Sequence, residues 1–305
     1  MQQFALKTGK GWQIMILVTG ASGMAGGAVL TELRARKADL RAMYRSKEDA
    51  AKVPAGVTAA VADFADSQSL RAALAGVDSV YLVCSPVQEL VTLESNMIDA
   101  CAASGVTHVV QNSALGASDW PKSYPSWHHQ VEQKLKSSKL RYTILQPNSF
   151  MQNITAFFAP SIKSSGVFYS SMKNSKTSYI DVRDIAGAAA NILLSPEKHY
   201  GHTYALNGPE AVTYTELASR ISRVAGKPVQ YVDIPEDAQR KSMLEMGMPA
   251  WQVEALLELQ QYYVSGKGGD LDQILAGLLQ RAPRTLDAFL QESAAAFRGA
   301  EAARG

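Results

Sequence analysis

Cysteine is almost absent from this chain: Cys84 and Cys101 are the only two in 305 residues. Two thiols build neither a disulfide framework nor a cysteine-rich metal cluster, and they fit a reducing, cytoplasmic compartment. Long apolar runs are missing as well. Residues 1–13 are predominantly polar, and the run after them, Ile14 to Val18, is too short for a signal-peptide core or a membrane span. No membrane partner is expected. Neither sign of charge dominates: 30 Lys and Arg stand interspersed with 28 Asp and Glu, for a net charge of +2. A nucleic-acid surface would cluster its basic residues, so nucleic acid is not an expected partner. His199 and His202 flank Tyr200-Gly201 without acidic or cysteine partners, which reads as a loop and not as a metal site.

What is present is ordinary core-forming material, 47% hydrophobic and 19% charged, in a chain long enough for one large domain with a smaller lobe. Ile14 to Thr19 reads as a strand buried on both faces. A helix is predicted over Ala25 to Lys37, with Val29, Leu30 and Leu33 at helical spacing. Further strands are predicted at Leu40–Tyr44, Val57–Ala62, Val77–Cys84, Val106–Gln111 and Leu140–Leu145. Helices are predicted at Ser67–Ala75, capped by Asp66 or Ser67, at Thr92–Ser104 and at Ser126–Ser137. This βαβα rhythm predicts an α/β fold with a doubly wound, mainly parallel sheet. After Pro147 the pattern changes. Residues 148–178 carry aromatics, polar residues and turn signals. Residues 179–206 return to strand–helix–strand. From Asn207 on the chain is mostly helical, over Tyr214–Ala225, Glu236–Met246, Trp251–Val264 and Leu271–Leu279. The expected domains are residues 14–147 with 179–206 as a nucleotide-binding unit, and residues 148–178 with 207–290 as a smaller lobe. Residues 1–13 are set apart as an N-terminal extension, because Met15 stands where the first strand begins.

The strongest chemistry lies in the loop Gly20-Ala21-Ser22-Gly23-Met24-Ala25-Gly26. Gly20 permits a sharp turn off the strand, Gly23 lets backbone approach a pyrophosphate, and Gly26 allows close helix–sheet packing. The free N–H groups and dipole of the helix start favour phosphate. A glycine pattern is weak by itself. Here it comes directly after a buried strand and opens a helix, which is the context a dinucleotide site requires. The tip of the second strand then selects the cofactor. NAD sites place an acid there, whereas this chain reads Tyr44-Arg45-Ser46-Lys47. Arg45 suits a 2′-phosphate, with Ser46 and Lys47 assisting, so NADP(H) is the expected cofactor. A solvated basic turn is the alternative.

These residues, with Val131-Glu132, the stretch Tyr142 to Asn153 and the stretch Tyr179 to Ala186, resemble the NmrA-like branch of the atypical short-chain dehydrogenases/reductases. Within it the chain is similar to bacterial NADPH-dependent quinone oxidoreductases and triphenylmethane reductases, from Met15 to about Phe289. The resemblance implies further cofactor contacts. Asp63 and Phe64 match the adenine flank. Cys84, Ser85 and Pro86 match the adenosine and ribose. Asn112 and Ser113 match the nicotinamide neighbourhood, and Pro147 is counted with them. All lie at carboxyl ends of predicted strands, where open α/β sheets bind ligands. A turn or helix cap is the competing reading, most of all for Asp63.

The catalytic Tyr-x-x-x-Lys of typical short-chain dehydrogenases is missing. Its place reads Tyr124-Pro125-Ser126-Trp127-His128, so Tyr124 and His128 are the expected catalytic pair. His128 would hold a ribose or relay a proton, or else it is a helix-surface histidine. Two pairs with the full spacing, Tyr169 with Lys173 and Tyr263 with Lys267, fall in a turn-rich segment and in the helical lobe and are read as chance. Without the lysine charge, a tyrosine is a poor acid for an unactivated ketone. Quinones and dyes are easier hydride acceptors. Phe150, Met151 and Asn153 are expected to bind substrate between the lobes, with Phe157 and Phe158 nearby. Met243, Met246, Met248 and Trp251 read as lobe-packing surface, with a lid over a flat ligand as the alternative. Asp181 and Asp184 read as a helix cap and a dipole-favoured acid. The expected function is reduction of a quinone-like or conjugated aromatic acceptor by NADPH. The alternatives are a catalytically silent NADP(H) sensor acting through a protein partner, and a ketone or enone reductase. The sequence does not fix the oligomeric state; a homodimer is compatible with it.

Overall fold

The computed structural model describes residues 14–298; the N-terminal extension lies outside the described residues. The first half alternates without exception. It runs β1 (Met15–Val18), α1 (Met24–Ala35), β2 (Asp39–Tyr44), α2 (Lys47–Ala50), β3 (Thr58–Val61) and α3 (Ser67–Ala73). It continues through β4 (Ser79–Leu82), α4 (Leu90–Ala103), β5 (His108–Asn112), α5 (Ser123–Ser137) and β6 (Arg141–Pro147). The second half holds α6 (Met151–Ser165), β7 (Val167–Ser170), β8 (Lys176–Thr177), α7 (Val182–Leu194), β9 (His202–Leu206) and β10 (Val212–Thr213). It closes with α8 (Tyr214–Ala225), β11 (Gln230–Asp233), α9 (Glu236–Glu245), α10 (Ala250–Val264), α11 (Ile274–Leu279), α12 (Leu286–Glu292) and α13 (Ala294–Phe297).

Seven parallel strands form the main sheet in the order β3-β2-β1-β4-β5-β6-β9. Successive side chains of a strand point to opposite faces. Ile16 and Val18 therefore join Val29, Leu33, Ile185 and Ile192 on one side. Leu17 joins Leu70, Met97, Ile98 and Val131 on the other. The strand order reverses between β1 and β4, which places a crevice at the carboxyl ends there. This is the doubly wound, parallel architecture the sequence predicts.

A third core, built from Met151, Ile154, Phe168, Leu217, Tyr263, Phe289 and Phe297, holds the smaller lobe. Its boundaries differ from the expectation in two places. α11 packs against α7 and β9, so Leu275, Leu278 and Leu279 belong to the sheet's core. The lobe also runs beyond residue 290, since Phe297 is fully buried in it. The segment after β6 is a fifteen-residue helix and not a run of turns. Pro160 and the serines around it gave the turn signal. Burial of Met151, Ile154, Ala159 and Ile162 outweighs it, and Gly166, at φ 72°, ends the helix.

The lobes are tied at Asn148, which is 1% exposed. Its side-chain amide donates to Ser178 Oγ (2.8 Å), Asn207 Oδ1 (3.0 Å) and the Gly268 carbonyl (3.0 Å). Its Oδ1 accepts the Ser149 N–H at 2.7 Å. Asn148→Ala strands several enclosed polar groups at once. We expect it to lower the free energy of unfolding by about 2–4 kcal/mol, read by urea denaturation.

Candidate functional site

β1 ends at Val18, and Thr19 anchors the turn beyond it. The Thr19 hydroxyl bridges to the Tyr81 and Val83 carbonyls (3.1 and 2.9 Å) and accepts the Val83 N–H. Gly20 turns with φ +58°, and a Cβ there would lie 2.8 Å from the Val83 side chain. At Gly26 a Cβ would lie 2.3 Å from the Gly20 carbonyl oxygen and 2.5 Å from that of Thr19. Backbone thus packs on backbone, as the sequence reading of Gly26 requires. α1 begins at Met24 with no side-chain cap and no acidic residue in its first turn. The open, acid-free start of α1, behind a turn that admits no side chain at Gly20 or Gly26, fits a pyrophosphate.

Arg45 is exposed at the tip of β2. Among the described residues neither it nor Lys47 makes an ion pair, so both cations are available to a phosphate. Ser46 is committed elsewhere: its hydroxyl caps α2 at the Asp49 N–H (3.0 Å) and meets the Asp49 carboxylate (3.1 Å). Lys52 holds that carboxylate at 2.9 Å.

The remaining expected contacts separate. Asp63 is exposed, and its carboxylate accepts the Ala65 N–H (2.8 Å), an Asx turn. The Phe64 ring is buried in the sheet's core. Cys84 is half-buried, and burial pushes its thiol up to about 12, so it is no nucleophile. Ser85 and Pro86 are exposed beyond it. Asn112 and Ser113 are buried at the end of β5, where Asn112 Oδ1 accepts the Tyr81 hydroxyl (3.0 Å). Ser113 Oγ donates to Glu132 (2.6 Å), a fully buried carboxylate on α5 that also accepts Gln146 (2.7 Å) and pairs with Lys136 (3.3 Å). Pro147 ends β6, and its carbonyl accepts the Leu115 N–H (3.0 Å).

Tyr124 and His128 do not have the surroundings of an acid–base pair. Tyr124 is buried, edge-on to Trp127 at 5.0 Å, and Trp127 in turn meets Trp251 of α10. Burial pushes its phenol up to about 12. His128 is half-buried with Nδ1 enclosed and unpartnered, and burial pushes its pKa down to about 4. Neither lines the lobe's cavity.

That cavity, about 710 Å³, opens in the smaller lobe from Ser149, just past β6. Asn153 lines it, as do Phe157 and Phe158. Two expected substrate residues do not. Met151 is fully buried in the lobe's core, and Phe150 packs against the sheet's core. Met151 opens α6 with its side chain in the lobe's core, and Phe150 precedes the helix as its N-cap; Ile154, one turn on from Met151, is fully buried in the same core and also touches the cavity. Met243, Met246 and Met248 line the cavity, so the packing role read for them is corrected; Trp251 keeps it. Tyr169 and Tyr263 also line it, but their spaced lysines do not. Lys173 stands at φ 50°, and Lys267 pairs with Asp119 at 2.9 Å. His199 bonds the Tyr204 hydroxyl at 3.0 Å. Asp181 does cap α7, and it also pairs with Arg284, while Asp184 holds Arg281 at 2.7 Å.

Sequence reasoning gave no role to Glu132, to Glu94 or to Tyr179. Glu94 interrupts the apolar stripe Leu90, Met97, Ile98 and Cys101, and an acid on such a stripe is the readable signal. It accepts the Cys84 N–H, and burial pushes it up to about 8.

An open helix start behind a glycine loop, at the topological switch of a parallel sheet, defines a dinucleotide-binding α/β protein with a second, smaller lobe. The chain belongs to the NmrA-like family, whose model matches residues 13–290. It is 35% identical over 292 residues to the NAD(P)H azoreductase of Xenophilus azovorans, covering 93% of this chain and 99% of that one. The NADPH complex of quinone oxidoreductase 2 from Escherichia coli superposes with a TM-score of 0.83 at 28% identity, covering 92% and 99%. The NADP(H) complex of Citrobacter sp. triphenylmethane reductase shares the fold, with a TM-score of 0.83 at 22% identity and coverage of 92% and 99%.

Arg45→Ala should raise KM for NADPH by about 10- to 100-fold, the worth of a charged bidentate contact, and leave KM for NADH nearly unchanged; initial rates with both cofactors decide this. A second expectation concerns pH. His128 has a folded pKa of about 4 against an ordinary 6.5. The unfolded chain therefore takes up a proton first as pH falls, and stability present above 6.5 is lost on the way to 4. His128→Asn should flatten part of that loss in denaturation curves across this window. His108, also pushed down to about 4, retains the rest.

Proposed function

We propose that this protein is an NADPH-dependent reductase of quinone-like or azo-type conjugated acceptors, bound in the lobe cavity beside the cofactor. The observation that carries the reading is the cavity itself: an open pocket of aromatic, methionine and hydroxyl side chains that starts at Ser149, just past the carboxyl end of β6. The cofactor, when bound, supplies a hydride from its dihydronicotinamide ring.

In this reading Gly20, Ser22, Gly23, Met24, Ala25 and Gly26 hold the pyrophosphate, and Arg45 the 2′-phosphate. Asp63, Phe64, Cys84, Ser85 and Pro86 flank the adenosine, mostly through backbone. Asn112, Ser113 and Pro147 stand by the nicotinamide. Glu132 takes the Ser113 hydroxyl proton in a hydrogen bond, so Ser113 Oγ presents lone pairs outward and acts as an acceptor. Asn153 and the cavity aromatics orient the acceptor. His128, pushed down to about 4, is uncharged at neutral pH, and Tyr124, pushed up to about 12, keeps its proton. Neither is a strong general acid near pH 7. An acceptor whose reduced form tolerates negative charge, as a hydroquinone does, suits such a site better than a ketone. A catalytically silent sensor would have no use for the cavity. The azoreductase relative adds weight to turnover.

The test is NADPH consumption at 340 nm with a panel of quinones, azo dyes, triphenylmethane dyes, ketones and enones. Saturable turnover of the first groups, abolished by Gly23→Asp, supports the reading. Turnover of ketones alone, or tight NADP(H) binding without turnover, overturns it.

A further inference from the structure

The polar inventory of the cavity is unusual. Among the described residues that line it there is no Asp, Glu, Lys, Arg or His. Two of its glutamines are already engaged: Gln239 accepts the Ser171 N–H (2.7 Å) and Gln260 accepts the Ser171 hydroxyl (2.9 Å). Two hydroxyls stand apart. Thr177 Oγ1 and the Tyr179 OH are enclosed, line the cavity and make no hydrogen bond of good geometry, although they stand near each other and the Tyr214 hydroxyl stands near that of Tyr179. Thr177 is 1% exposed and Tyr179 3%. They flank Ser178, which Asn148 and the Gly268 carbonyl hold in place, so their positions are fixed by the junction of the lobes. Buried polar groups in native proteins are nearly always satisfied, and exceptions mark a missing partner. Burial also raises the Tyr179 pKa, with the neighbouring Tyr214 and Tyr263 adding to it. The phenol therefore remains a donor throughout the working pH range.

Resting on the reductase reading above, we propose that Tyr179, seconded by Thr177, is the specificity-determining donor of this cavity. It holds an acceptor that is uncharged in the part that enters and that offers a carbonyl oxygen or azo nitrogen. At the buried Thr177 and Tyr179 end of the cavity an anion has no counter-ion, and leaving one unpaired there is strongly disfavoured. Tyr179 gives a hydrogen bond and keeps its proton. Hydride comes from NADPH and the balancing proton from water, so quinone, NADPH and H⁺ yield hydroquinone and NADP⁺.

A matched pair small enough to reach the buried end of the cavity tests this: 1,4-naphthoquinone and 1,4-naphthoquinone-2-sulfonate. The sulfonate is the more electron-poor, so intrinsic reactivity favours it and any discrimination against it belongs to the protein. We expect kcat/KM to favour the neutral quinone by more than about tenfold, a modest share of the cost of an unpaired charge. Tyr179→Phe should raise KM for the neutral quinone about tenfold, leave KM for NADPH unchanged, and leave the thermal midpoint equal or higher, because an unpaired buried hydroxyl is removed. Thr177→Val should do the same to a smaller degree. Equal kcat/KM for the two quinones overturns the proposal, as does a Tyr179→Phe protein with a lower midpoint and an unchanged KM. Fluorescence titration of the NADP⁺-loaded protein with each quinone separates this proposal from the reductase reading. Neutral preference in binding without turnover sinks only the reductase. Turnover without preference, or binding of neither quinone, sinks the assignment of Tyr179.

Discussion

The buried amide of Asn148 is the point on which both halves of the molecule depend. It closes the last long strand of the sheet with Ser149, reaches Ser178 and Asn207 on two other passes of the chain, and ends on the Gly268 carbonyl of the smaller lobe. No charged residue reproduces that set. A carboxylate offers no donors to three acceptors, and an ammonium cannot accept the Ser149 N–H. Because the contact sits where β6 passes into α6, it also sets where the cavity starts. Thr177 and Tyr179 inherit their positions from the same junction. Shape in the ligand lobe is thus determined by a hydrogen-bonded knot at its base, and the apolar walls fill in around it.

A second layer of constraint comes from buried carboxylates. Glu132 gathers Ser113, Gln146 and Lys136 behind the ends of β5 and β6. Asp181 caps α7 and joins Arg183 and Arg284, while Asp184 joins Arg281. Burial opposes charge on Asp181, but the Arg183 and Gln152 hydrogen bonds outweigh it and hold its pKa below the usual carboxylate range. The two aspartates rivet α7 to the closing segment. All three acids sit in stretches that carry the family resemblance, so part of that resemblance is structural support and not ligand contact.

Much of the fold was legible because its signals are local. Short apolar runs, glycine spacing and helical periodicity set β1 to β6 and the loop at Gly20 to Gly26 within a residue or two. α6 was not legible, since Asn153, Pro160 and the serines argue for turns and only tertiary burial of Met151, Ile154 and Ile162 overrules them. The same omission misplaced the candidate site. Without the phase of α6, Met151 looks as available as Asn153; with it, one is core and the other is wall. Arg45 could be read from sequence because exposed tips keep their side chains free. Tyr179 could not, because an unsatisfied hydroxyl is a property of its surroundings and not of its type.

The chemistry depends on what surrounds the sheet's carboxyl edge. Burial moves His128 below neutrality and Tyr124 far above it, and Glu132 is tied up in hydrogen bonds to its neighbours. No side chain named there is poised to drive protonation of a reluctant carbonyl. If the proposed reductase reading holds, rate comes from proximity of hydride donor and acceptor, and selectivity from which acceptors the cavity retains. In the proposed reading the cavity takes flat, uncharged rings, since its lining combines methionines of α9 and the α9–α10 turn, which adapt to such shapes, with the aromatics of α6. A site of the proposed kind trades acid strength for shape, and it suits acceptors that take hydride without help.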